Sequence, residues 1–164
     1  MQGLARRDFL LAAAALPFEL PTALPFALPE GERLRLSNRA LGWTVLRDRE
    51  APPGAAETGM VLARVQRPVA PADRPGHLAA SLRHFRPFRF GSLPAEAVVQ
   101  LAGLPGRAIE APAMGIGSRV PVMVHAVCLF APRRSYLIIG SAPGVEWEAL
   151  RPELLRVIEG FRPG

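Results

Sequence analysis

Lysine is absent from this 164-residue chain, so all 20 of its basic residues are arginine. That pattern reads as GC-rich coding bias rather than selection for guanidinium chemistry. Cysteine is nearly absent as well. The one thiol, Cys128, excludes an internal disulfide and any multi-cysteine metal or iron–sulfur site. It stands in the apolar run VMVHAVCLF, where a thiol behaves as a small buried hydrophobe. Long apolar runs are missing too: the longest near the start, Leu10–Leu16, is far short of the roughly 20 residues a membrane-spanning helix needs. Carboxylates are sparse, and Glu146, Glu148 and Glu153 gather at the start of the last helical pattern, where negative charge complements the helix dipole.

Proline and glycine, by contrast, are plentiful at 18 and 15 residues, so regular elements must be short and often interrupted. The length suits one domain with a core of its own. The formal charge is +6. Removing residues 1–27 takes away Arg6 and Arg7 together with Asp8 and Glu19, two charges of each sign, so the remainder is equally basic. A basic domain attracts acidic partners, anionic lipid surfaces or nucleic acid.

The opening MQGLARRDFLLAAAALP has the parts of an export signal: charge in the first seven residues, then a short apolar stretch. Pro17, Pro21, Pro25 and Pro29 follow at intervals of four, which a helix interior does not tolerate. RRDFLL resembles the twin-arginine export motif, with Arg6, Arg7, Phe9 and Leu10 in the defining places and Ala5 where Ser or Thr is usual. The resemblance implies export to the periplasm or beyond, with residues 1–27 as the leader and 28–164 as the working domain. Membrane contact is then expected only through the leader.

From Glu32 the pattern becomes that of strands. RLRLS alternates, NRAL reads as a turn with Asn38 near its bend, and GWTVLRD follows with Trp43 and Val45 on one face. MVLARVQRP is a further strand closed by Pro68. HLAASLRHF places Leu78, Leu82 and Phe85 on one helical face, ended by Pro87. AEAVVQLAG and GRAIEAPA flank GLPG as a hairpin. RVPVMVHAVCLFA, with little alternation, reads as a central strand covered on both faces. APRRS turns the chain into YLIIGSA, and GVEWEALRPELLRVIEGF closes with Trp147, Leu150, Leu154, Val157 and Phe161 at helical spacing around Pro152. The order predicts an α+β fold: an antiparallel sheet of about six to seven strands, with one mid-chain helix and a C-terminal helix packed on it.

A Trp-bearing second strand, the LAGLPGRAIEA hairpin, the long apolar strand, SYLIIGSAP and a closing helix ending in FRP together resemble the PsbP-like (Mog/PsbP-type) fold over roughly residues 32–163. That resemblance implies an uncharacterised bacterial exported protein built on a sheet–helix binding scaffold, mostly without enzymatic activity. It assigns no partner.

Catalytic constellations are not marked. His77 and His84 are seven residues apart, about 10.5 Å along a helix axis, too far to share one metal ion. His125 sits within the apolar strand. Ser118 and Ser141 lie beside glycines without the strand–elbow–helix frame of a nucleophile, and AMGIGSR precedes a strand, so it aims no helix N-terminus at a phosphate. No cofactor or metal is expected. The remaining feature is RHFRPFRFGS, where Arg83, Arg86 and Arg89 alternate with Phe85, Phe88 and Phe90. Such interleaving grips anionic surfaces. Outside the cytoplasm nucleic acid is not the expected client, which leaves an acidic envelope protein or an anionic lipid surface. The expectation is a non-catalytic binding or accessory domain using Arg83, Arg86 and Arg89. The alternative is a small periplasmic hydrolase or isomerase drawing on His125, His84 or Ser141 in a pocket between sheet and helix.

Overall fold

In the computed structural model, which describes residues 25–164, the apolar periodicities become ten strands and two α-helices among the described residues. Arg6, Arg7, Phe9 and Leu10 lie outside them. In chain order the elements are β1 (Phe26–Ala27), β2 (Leu34–Ala40), β3 (Trp43–Asp48), β4 (Met60–Gln66), α1 (His77–Arg83), β5 (Phe88–Phe90), β6 (Ala97–Leu101), β7 (Leu104–Gly115), β8 (Pro121–Phe130), β9 (Ser135–Pro143), α2 (Trp147–Glu159) and β10 (Arg162–Pro163). The main sheet has eight antiparallel strands in the order β2-β3-β4-β9-β8-β7-β5, with β6 sharing the free edge of β7 beside β5. β1 and β10 form a separate two-stranded ribbon. The architecture is α+β, with more strands than expected.

Each face of the sheet carries one helix. Leu78 and Leu82 of α1 pack on Ile109, Ala111, Val124, Ala126 and Cys128, alternate residues of β7 and β8. Leu150, Leu154, Val157 and Ile158 of α2 pack on the opposite face, against Val61, Ala63, Val127, Ile138 and Ala142. Gly140 lets α2 approach: a Cβ there would lie 3.1 Å from Ile158 Cδ1. β9 is buried at all nine positions, as a central strand covered on both sides must be. β8 starts at Pro121, where the lost N–H costs least, and is buried without a break from Ala126 to Phe130.

Several local expectations are corrected. Asn38 is not at a bend; it pairs with Val45 inside β2 after a bulge, and the turn is Leu41–Gly42, both at positive φ. The β6–β7 turn is Ala102–Gly103 rather than GLPG, and Pro105 lies in β7 opposite Gln100. α1 ends at Arg83, four residues before Pro87. Phe88–Phe90, for which no strand was expected, is strand β5 on β7. Pro152 lies inside α2 on its solvent side and does not break it.

Residues 26–27, assigned to the leader by the sequence, belong to the folded unit. Phe26 is 5% exposed and packs on Tyr136 and Phe161, with ring centroids 6.2 and 5.7 Å away. A boundary after residue 27 falls at the end of β1.

Candidate functional site

α1 has only seven residues, about 10 Å of helix, and it packs on β7, β8 and β5. The neighbouring part of that face, along β4 and β3, is therefore only partly covered. On β4 the residues facing this side run Met60, Leu62, Arg64, Gln66, so the strand turns polar where no helix covers it. The result is a cleft of about 600 Å³ between α1 and the sheet. Trp43, Phe85, Pro87 and Leu137 supply its apolar walls, and Arg64, Gln66, His77, His84 and Arg86 its polar groups. A wider trough of about 860 Å³ continues from it past Arg67 to Arg133 and Arg134 at the β8–β9 turn, sharing Arg64, Gln66 and His77. No carboxylate lines either concavity.

Arg64 is the centre of this surface. Its guanidinium lies 4.7 Å from the Trp43 ring centroid, a cation–π contact that fixes the side chain. Trp43 is held in turn by Phe85, edge-on at 5.8 Å. Arg64 Nε is buried without a hydrogen-bond partner among the described residues, and so is His77 Nε2. Neither Arg64, Arg67, Arg86, Arg133 nor Arg134 is in an ion pair there, whereas Arg33, Arg35 and Arg151 are.

The three arginines named from the sequence are separated by secondary structure. Arg83 ends α1, Arg86 is in the following loop and lines the cleft, and Arg89 is on β5, where it lines another recess with Met114, Ile116 and Arg119. All three are exposed. Arg64 and Trp43 escaped sequence reading because they sit on different strands. The available signal was the switch from apolar to polar residues along one face of β4.

His84, His125 and Ser141 do not converge. His84 is exposed at the cleft with Nδ1 2.8 Å from the carbonyl of Ala80. Ser141 is sealed in the sheet, 1% exposed. His125 is on the opposite face, 3.1 Å from Glu110, which also receives Arg151 of α2 at 3.0 Å. Burial pushes the Glu110 carboxyl up, but hydrogen bonds from Arg151 and His125 and their charges outweigh it, leaving it below the usual range. This cluster ties α2 to the sheet. Cys128 is fully buried, and burial, with Glu96 nearby, pushes its thiol up to about 12. The thiol therefore stays protonated and inert.

No protein-family model matches the sequence, and no curated protein matches it. Among solved structures the chain is similar to LpqN, described as involved in cell envelope biogenesis of Mycobacterium tuberculosis: 14% identity, TM-score 0.63, covering 84% of this chain and 82% of that one. It is also similar to PA94, a protein of unknown function from Pseudomonas aeruginosa: 10% identity, TM-score 0.55, covering 74% and 83%. Cyanobacterial PsbP (CyanoP) from Synechocystis matches at 11% identity and TM-score 0.49, covering 88% and 96%. What this chain shares with LpqN and PA94 is the fold. No described helix is long and apolar enough to cross a membrane.

Proposed function

We propose that the chain is a non-catalytic accessory domain of the PsbP-like kind, exported through its twin-arginine leader, that captures an acidic protein partner on the α1 face. The observation that carries this reading is the trough from Arg64 past Arg67 to Arg133 and Arg134, lined by unpaired arginines and no carboxylate. Arg86 lines the cleft that adjoins it. A concave trough receives a protruding acidic segment better than a flat bilayer, which favours a protein over a lipid surface. The involvement of LpqN in cell envelope biogenesis fits the same setting.

The test is binding of a fluorescent polyglutamate peptide to the full chain across salt concentrations. The expected result is capture at low ionic strength that fades above about 0.15 M, where exposed charges are screened beyond roughly 8 Å. Arg133→Glu with Arg134→Glu abolishes it, and Arg83/Arg86/Arg89→Ala weakens it without unfolding the domain. Binding that ignores both variants refutes the surface, and binding to anionic vesicles in preference to the peptide refutes the protein partner.

A further inference from the structure

We infer that the cleft between α1 and strands β3, β4 and β9 binds a small organic anion, a carboxylate or phosphate on an apolar body. Its volume of about 600 Å³ lies within the roughly 300–1,000 Å³ common for small-molecule sites. Its make-up is that of such sites: apolar walls from Trp43, Phe85 and Leu137, with a few placed polar groups.

The anion follows from Arg64. A guanidinium held over Trp43 at 4.7 Å is positioned in advance, so little side-chain freedom is lost when it is engaged. Its Nε and the Nε2 of His77 are both buried without a partner. Leaving a buried polar group unpaired costs about 1–3 kcal/mol, and Arg64 has no ion-pair partner among the described residues to offset its charge. Arginine's fork suits the two oxygens of a carboxylate or phosphate. Arg86 adds a second positive charge at the mouth, and no acid opposes either one. The apolar body follows from the walls, since Trp43 and Phe85 present ring surface to whatever the guanidinium holds.

The cleft shares Arg64, Gln66 and His77 with the trough proposed for the acidic partner, but Arg133 and Arg134 lie outside it, so variants there separate failure of one reading from failure of the other. The experiment titrates the full chain with phenylacetate, phenyl phosphate and the neutral benzyl alcohol, following the Trp43 indole and Arg64 Nε–H resonances by two-dimensional NMR. The expected result is saturable shifts of both resonances with one or both anions and none with the alcohol. Phenylacetate alone assigns a carboxylate, and phenyl phosphate alone a phosphate. Arg64→Gln weakens binding at least about tenfold, the loss of one charge-assisted pair. Arg86→Gln, at an exposed position that leaves folding intact, weakens it less, and Arg133→Ala leaves it unchanged. The inference falls if neither anion saturates up to about 10 mM, if the alcohol binds equally, or if the shifts map outside the cleft. It falls too if affinity survives both Arg64→Gln and Arg86→Gln.

Discussion

Glu153 is buried in α2, and its carboxylate binds the distant entry to β2: Oε1 accepts the N–H groups of Arg33 and Leu34, each at 2.8 Å. Sequence reading grouped it with Glu146 and Glu148 as a helix-dipole acid. A partner 119 or 120 residues away is invisible to periodicity, so the real role was illegible. A Cβ on Gly31 would overlap the same carboxylate, which explains a glycine before the strand. Glu153→Ala is expected to destabilise the domain by about 2–4 kcal/mol, because two donors lose a charged acceptor. Glu153→Gln, which keeps a carbonyl oxygen, costs less. Urea denaturation measures both, and an alanine variant within about 0.5 kcal/mol of the parent would contradict the assignment. Asp48 makes a second prediction, in pH. Burial raises its carboxyl, but hydrogen bonds from the Arg33 guanidinium and the Glu50 N–H outweigh that and hold it below its ordinary value. A depressed folded pKa means stabilisation that is whole at neutral pH and lost as pH falls below about 4, through the folded value. Glu110 acts in the same direction, less strongly for being partly exposed. Melting temperature should therefore fall between about pH 5 and pH 2, and Asp48→Asn should flatten that fall.

At the scale of elements, the long patterned segments were legible because a single face decides them. β4, β8 and β9 lie where apolar runs bounded by turn residues put them, and the buried side of α1 and the stripe of α2 where period-3.6 spacing does. The turns were not, and for a physical reason. Leu41–Gly42 and Ala102–Gly103 both have two residues at positive φ, from 51° to 79°, the conformation of a two-residue hairpin loop. That loop is usually marked by Asn-Gly or Asp-Gly, and here leucine and alanine hold the first place. Proline in GLPG and asparagine in SNRAL were stronger markers and pointed elsewhere. β5 was hidden because its pairing with β7 is a long-range event that local composition does not encode. The strain is testable. An alanine at φ 51° costs about 1 kcal/mol relative to a residue that tolerates the left-handed region. Ala102→Asn is therefore expected to raise stability by about 0.5–1 kcal/mol, and Ala102→Val to lower it. Thermal unfolding decides between this turn and one centred on GLPG, for which neither change would matter.

For the whole molecule, the consequential fact is that the helices lie on opposite faces of one sheet. Helical stripes announce a buried side without saying which face of which strand receives it, so a cleft beside α1 could not be foreseen. Of its polar groups, Arg86 was in the segment singled out from sequence, and Arg64 was not. The two cores have different members: Ile109 of β7 packs beneath α1, and Ile158 of α2 packs into the layer on the opposite face. Phe26 and Phe161 seal the α2 side alone. One layer can thus be altered while the other keeps its packing, which allows binding at the cleft to be varied without loss of the fold. Ile109→Val and Ile158→Val each remove one buried methylene and should each cost about 1 kcal/mol. Because the side chains share no partner, the double variant should cost their sum to within about 0.5 kcal/mol, in a single cooperative transition. A coupling much above that would mean that β8 and β9 transmit strain from one face to the other. Substitutions in the α2 layer would then alter the cleft, and tests on the arginine face would need Arg64 and Trp43 monitored in every variant.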